Sequence, residues 1–436
     1  MMALGAALAL LGAGMAVALY KFPPSLGMIV VVGIGMLGLL ALAVANYEAA
    51  VTLGFVLFGV VAMEPAPPDG VFAVVMAVAV VTGRFNLARV PMSIFGLVGA
   101  FMFVNILSSI EVIDVPAAAR FMTITVYLAI FAIWFTSYLD SRERARAVVM
   151  AYLIPATIFA FLATAALFGP VPGRSMLLAY DGTRSTGLFQ DPNVFGPFLV
   201  PAALIVLQEI LDPRLLGMRM SVKLMTFLVL TGGVLFSYSR AAWVNEVVGA
   251  AVLLGVLMMR RGGGRKAIAV VVLVLVTTIG LVGTLSLTGS LGFLQERAKF
   301  QTYDTQRFGA QRTGIALAEQ YPVGVGPGQF ELRVPISAHS AYVRTLAEQG
   351  MLGLVLIAAL FLTTLVFAAS NAVRGRDTHG IGSAALLGAW VGLLVNSFVV
   401  DTLHWRHLWF VAALIWIGAM RRVSELPAPP REPAEL

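Results

Sequence analysis

Long apolar runs alternate along this chain with short polar connections that carry arginine, a pattern that predicts helices crossing a bilayer. The runs are Ala3 to Tyr20, Leu26 to Ala45, Ala49 to Met63, Val71 to Thr82, Met92 to Ile110, Phe121 to Leu139, Ala147 to Phe168 and Val194 to Leu211. They continue as Leu224 to Tyr238, Ala242 to Met259, Ala267 to Leu287, Ala341 to Ala369, Ile381 to Val399 and Leu408 to Met420. Ala49 to Met63 and Val71 to Thr82 are short and predict broken or tilted elements, so the expectation is 12 to 14 spans. Ala3 to Tyr20 lacks a basic leader and a small-residue cleavage site, and is expected to be a retained anchor.

Two connections are long. Gly169 to Asn193 is polar and bears Gly and Pro, and Thr288 to Ser340 has its own helical stretch around Thr305 to Gln320. Connections of this length inside a compact domain are usually functional. The expected organisation is therefore N-terminal membrane helices over 1–168, a loop over 169–193, central helices over 194–287, a large loop over 288–340, C-terminal helices over 341–422 and a disordered tail over 423–436. No internal repeat or soluble domain is visible. The expected fold class is all-α, a polytopic integral membrane protein.

Composition narrows the chemistry. Of 436 residues 59% are hydrophobic and 12% charged, against about 25% charged in soluble domains. Cysteine is absent, which excludes disulfides, thiolate metal sites and cysteine nucleophiles. Four histidines without a His-Glu-x-x-His pattern point to no metal, and no cofactor fingerprint is present. Nucleic acid is not an expected partner; membrane lipid is.

The formal charge of +7 matters through its placement. With a cytoplasmic N-terminus and alternating sides, one set of short connections collects sixteen Lys and Arg, at 84, 89, 142, 144, 146, 214, 219, 223, 260, 261, 265, 266, 374, 376, 421 and 422. The other set holds six, at 21, 120, 174, 184, 240 and 406. This bias predicts both termini in the cytoplasm. The outer face then gathers Arg184 and Asp191 in "RSTGLFQDPNVFG", Arg240 in "SYSRAAWVNE", Arg307 and Arg312 in "QRFGAQRTG", and His339, Arg344 and Glu348 in "AHSAYVRTLAEQG".

Guanidinium is planar, permanently charged and bidentate toward phosphate oxygens, so arginines clustered where the charge bias disfavours them suit a phosphate or diphosphate ligand. Taken alone, Arg240 is equally explained by pairing with Glu246 or Asp191. His339 is able to exchange a proton near neutral pH. Glu348 either orients an arginine or makes an ordinary helix-end ion pair. His404 and His407 lie beside Trp405 and Trp409 as interfacial anchors, and His379 belongs to the opposite side. The glycines of "PVGVGPGQF" follow a predicted helix, which favours a tight turn over a nucleotide loop.

These stretches, "RSTGLFQDPNVFG", "YSRAAW", Arg307 followed by "YPVGVGPGQF", and "AHSAYVRTLAEQGMLG" with Gly350 and Gly353, resemble the O-antigen ligase and polymerase superfamily. The N-terminal third matches it only in hydrophobicity. The resemblance implies a membrane glycosyltransferase that uses a glycan carried on undecaprenyl diphosphate, with packed helices under a periplasmic cap in the bacterial inner membrane and no metal or cofactor. By motif it assigns catalysis to His339 and Arg240 and diphosphate binding to Arg184, Arg240, Arg307 and Arg312, with Asp191, Asn193 and Glu348 supporting. Three departures stand out. "SRAA" replaces the commoner Ser-Arg-Gly, Gln311 stands where an aromatic is frequent, and His339 precedes Ser340 rather than Asn.

Ligase and polymerase share the donor and differ in the acceptor, a lipid A core sugar or a second lipid-linked glycan. The ligase-like histidine motif favours ligase. Whether His339 acts as base or as a protonated phosphate ligand stays open. A transporter or flippase of lipid-linked oligosaccharide is the alternative from another class, and a purely structural scaffold leaves the arginines unexplained.

Overall fold

A computed structural model describes residues 26–63, 65–260 and 302–420, with a few isolated positions between 261 and 301. Helices account for the architecture, and the only β pairings among the described residues are the isolated bridges Leu178 to Ser185 and Thr378 to Ile381. The main helices are α1 (Leu26–Ala45), α2 (Tyr47–Val56), α3 (Pro67–Val81), α4 (Met92–Ser108), α5 (Val115–Tyr138), α6 (Arg142–Phe168) and α7 (Pro192–Leu211). They continue with α8 (Met220–Phe236), α9 (Arg240–Met259), α10 (Thr302–Gln320), α11 (Ala341–Arg374), α12 (Ser383–Asn396) and α13 (Arg406–Met420).

The sequence sets the ends of these helices locally. The side chains of Asn46, Asp114 and Ser141 accept from Ala49 N, Ala117 N and Arg144 N to cap α2, α5 and α6. At the other end of α11, Gly375 takes a left-handed φ of 63° and stops the helix. Twelve of the fourteen apolar stretches are helical in whole or part, and Ala3 to Tyr20 and Ala267 to Leu287 lie outside the described residues. Among the described residues, six helices are long and apolar enough to cross a membrane. The ten residues of α2 rise only about 15 Å, half of the ~30 Å hydrocarbon thickness. That is the broken element the short run predicts. The chain is an all-α, multi-pass membrane protein.

Two kinds of packing hold the bundle. Small residues let helices approach closely: a Cβ on Gly388 would lie 2.3 Å from Gly249 O, and one on Gly392 would lie 2.6 Å from Asn245 O, so α9 and α12 touch backbone to backbone. Elsewhere aromatic rings fill the interior. Phe72 meets Phe131 at 4.8 Å between centroids and Phe55 at 5.1 Å, with Phe58, Phe135 and Phe410 around them. Outward-facing Phe103, Leu362 and Val366 remain exposed, as lipid-facing side chains require.

Polar contacts separate into two layers. In one, Arg144 binds Glu48 (3.0 Å) and Asp140 (2.8 Å), Arg89 reaches Asp140, Arg214 pairs with Asp212 and Asp377, and Arg260 donates to Ala372 O (2.8 Å). These residues come from the arginine-rich set of connections. In the other layer, contacts join the loops around 114, 184, 240, 307, 339 and 401. That second layer holds the site.

Candidate active site

Three helix N-termini frame it. Asp191 caps α7 by accepting from Asn193 N (2.7 Å), Ser239 caps α9 by accepting from Ala242 N (3.4 Å), and Ser340 caps α11 by accepting from Val343 N (3.3 Å). Each presents the positive end of a helix dipole, which favours negative charge. The turn before α9 is sharp: Tyr238 is buried at a φ of 49°, a region that side chains other than glycine rarely occupy. Arg184 ties two of the termini together. Its Nε donates to Ser237 O (3.0 Å) and its Nη2 to Asn193 Oδ1 (3.1 Å).

Arg240 is the first residue of α9, where a cation opposes the helix dipole. It is held by α10. Its guanidinium pairs with the Asp304 carboxylate and donates to Lys299 O (3.0 Å). Neither Glu246 nor Asp191 is its partner by contact; the Glu246 carboxylate instead accepts from Thr231 Oγ1 (2.7 Å). Asp304, Arg307 and Gln311 follow at spacings of three and four, hence on one face of α10. Arg307 donates to Val399 O, and Gln311 Nε2 to His339 O (3.2 Å) and Phe398 O (3.4 Å). Arg312 falls on a different, exposed face of α10.

His339 sits half-buried between these arginines and the 397–405 loop, at a φ of 44°. Histidine is among the few side chains that tolerate this region. Burial lowers its imidazole pKa to about 4; the nearby Arg307 charge acts in the same direction, and Asp191 and Asp401 oppose it. At neutral pH the ring is therefore uncharged and able to accept a proton.

Behind His339, Arg344 and Glu348 organise the scaffold. Arg344 pairs with Glu331, with Asp401 (2.7 Å) and with Glu348 (3.4 Å). Glu348 is fully buried and accepts from Gly328 N (3.0 Å) and Phe330 N (3.1 Å), pinning the "PVGVGPGQF" loop to α11. Close approach explains that loop's glycines. A Cβ on Gly324 would lie 2.3 Å from Glu348 O. A Cβ on Gly350, where α11 kinks at φ 68° and ψ −172°, would lie 2.2 Å from Pro322 O. On the loop's far side, the Gln329 carboxamide accepts from Ile113 N and Asp114 N, both at 2.9 Å.

Residues 225–358 match the family model for O-Antigen ligase. This segment is similar to the O-antigen ligase family and supports the O-antigen ligase and polymerase superfamily. A comparison with curated proteins returned no match. The O-antigen ligase segment contains Arg240, Arg307, Arg312, His339 and Glu348, whereas Arg184, Asp191 and Asn193 come from outside it. Contacts join both groups into one cluster, and Arg312 alone among these arginines stands apart.

Within the matched segment, two sequence departures acquire physical reasons. Gln311 occupies its position by holding the His339 carbonyl, and Ser340 serves as the N-cap of α11, a role that Ser and Asn fill about equally well. Sequence reading missed Asp304 and Asp401. Each lies far along the chain from the arginine it binds, so no spacing could reveal the pair. Among the described residues, no group of three or more His, Asp and Glu side chains could hold a metal ion.

Proposed function

We propose that the protein is an O-antigen ligase-type glycosyltransferase that moves a glycan from undecaprenyl diphosphate to a lipid A core sugar at the periplasmic face of the bacterial inner membrane. The observation that carries this reading is the convergence of Arg184, Arg240 and Arg307 with three helix N-termini around one neutral histidine. Negative charge on the diphosphate grows as the glycosidic bond breaks. Guanidinium groups and helix dipoles fixed beforehand stabilise that transition state more than the ground state.

His339 removes the proton of the acceptor hydroxyl as that oxygen bonds to the anomeric carbon. The anomeric carbon's bond to the phosphate oxygen breaks with the electron pair leaving on undecaprenyl diphosphate, so the sugar inverts. The proton stays on the imidazole until solvent takes it. An arriving diphosphate offsets the Arg307 charge and raises the imidazole pKa from about 4 toward working pH. The neutral ring favours the base over the protonated phosphate ligand.

Polymerisation of lipid-linked repeat units remains the second reading, because the donor site serves both reactions. The test uses purified protein in detergent, synthetic undecaprenyl-diphosphate glycan without added divalent metal, and either rough lipopolysaccharide or more donor as acceptor. Attachment to the lipid A core, lost in His339→Ala, is the expected result. Lengthening of the donor alone would make the protein a polymerase. No transfer to either acceptor by folded protein would overturn the assignment.

A further inference from the structure

Arg240 opens α9, where the helix dipole already places positive charge, so the guanidinium gains nothing from its own helix and is held by partners elsewhere. Asp304 is the charged one. It stands in the first turn of α10, where the dipole favours an anion, and its carboxylate pairs with Arg240 Nη2. The Asp304 side chain is 8% exposed against 31% for Arg240. The carboxylate has thus given up most of its water and needs a cation beside it. A second contact, from Arg240 Nη1 to Lys299 O at 3.0 Å, fixes the plane of the group.

A guanidinium has five N–H groups, and these contacts take two. Among the described residues Arg240 makes no other polar contact, which leaves Nε–H and one hydrogen on each Nη for a phosphate while Asp304 stays in place. Asp304 and a bound diphosphate then share one guanidinium, and their like charges repel across it. The repulsion grows with the charge of the ligand. Free undecaprenyl diphosphate, the product of transfer, has one more oxygen that ionises near neutral pH than the glycan-linked donor, because the sugar no longer esterifies it.

We propose that Asp304 is a positioning residue that orients Arg240 and, through its negative charge, weakens the site's hold on the free diphosphate so that the product leaves. Orientation serves the bond-breaking step. Repulsion serves release, which limits turnover in many enzymes. The inference rests on the transfer reading above, in which Arg240 meets the diphosphate, and deepens it.

Two measurements on the full-length protein in detergent test the assignment. One is equilibrium binding of synthetic undecaprenyl diphosphate, which needs no acceptor; the other is the rate of the first turnover with undecaprenyl-diphosphate glycan and whichever acceptor wild type uses. Asp304→Asn keeps an oxygen for Arg240 and removes the charge. It should bind undecaprenyl diphosphate about tenfold tighter, a gain held to that size because the pair borders solvent. Asp304→Glu keeps the charge and should show no gain. First-turnover rates should rank wild type above Asp304→Asn and that variant above Asp304→Ala, which leaves the guanidinium unheld and should lie about tenfold or more below wild type. Weaker or unchanged product binding in Asp304→Asn, or an equal gain in Asp304→Glu, would overturn the release role. A wild-type first-turnover rate in Asp304→Ala would overturn the positioning role. Wild type that binds no undecaprenyl diphosphate and transfers to no acceptor would refute the proposed function itself, a failure visible before any variant is made.

Discussion

Replacing Glu348 tests whether the glycine loop is clasped to α11 as the contacts require. The carboxylate is fully buried and serves Gly328 N at 3.0 Å, Phe330 N at 3.1 Å and Arg344 at 3.4 Å. In Glu348→Gln one backbone donor faces an amide that cannot accept, and the other loses its charge assistance, a cost of about 2–3 kcal/mol. Glu348→Ala strands both buried N–H groups and removes one of the carboxylates around Arg344, which costs about 3–5 kcal/mol. Release of the loop frees Phe330, whose ring is close enough to α10 that a Cβ on Gly314 would meet it at 2.9 Å. Since α10 carries Asp304 and Arg307, kcat should fall with stability. Thermal unfolding in detergent, followed through the six tryptophans, should rank wild type above Gln and Gln above Ala. An alanine variant that melts with wild type and transfers at its rate would refute the clasp.

Four other outcomes follow from the same geometry. Arg307→Ala should lower kcat by about 100-fold or more, as loss of a transition-state donor does, while Arg312→Ala should stay within about twofold, as an exposed substitution outside the site does; equal losses would return Arg312 to the site. Arg240→Lys should fail nearly as badly as Arg240→Ala, because a point charge cannot reproduce two directed contacts, and full activity in the lysine variant would remove the bidentate role. Gly350→Ala should impair folding, since its backbone region is almost exclusive to glycine and its Cβ would enter Pro322 O; a wild-type melting profile would count against the kink. The pH profile should have an acid limb. A base with its pKa lowered to about 4 is active above that value and loses activity as pH falls through it, and bound diphosphate should move the limb in kcat above that in kcat/KM. Activity that instead falls as pH rises through the imidazole pKa would assign His339 the protonated, phosphate-binding role.

The helices were legible because lipid imposes one rule at every position: a run of apolar residues must satisfy its backbone internally, and helices do so. Even the weak run at Ala49 to Met63 announced a short element, and α2 is one. What composition could not supply was the partner of each polar residue. Arg240 had two candidate carboxylates by sequence, Glu246 and Asp191, and its actual partner, Asp304, lies 64 residues away on α10. The glycines of "PVGVGPGQF" do lie in turns, as their motif suggested, but the motif could not show that Gly324 is required because two backbones meet beside the kink at Gly350.

The same limit explains why His339 could be found and its neighbours could not. A histidine at the start of a membrane helix stands out against a chain with only four, but its chemical state depends on distant groups. Burial and Arg307 make the ring neutral, and Gln311 from α10 holds its carbonyl. Motif reading could propose a donor side because arginines suit a phosphate ligand by residue type alone.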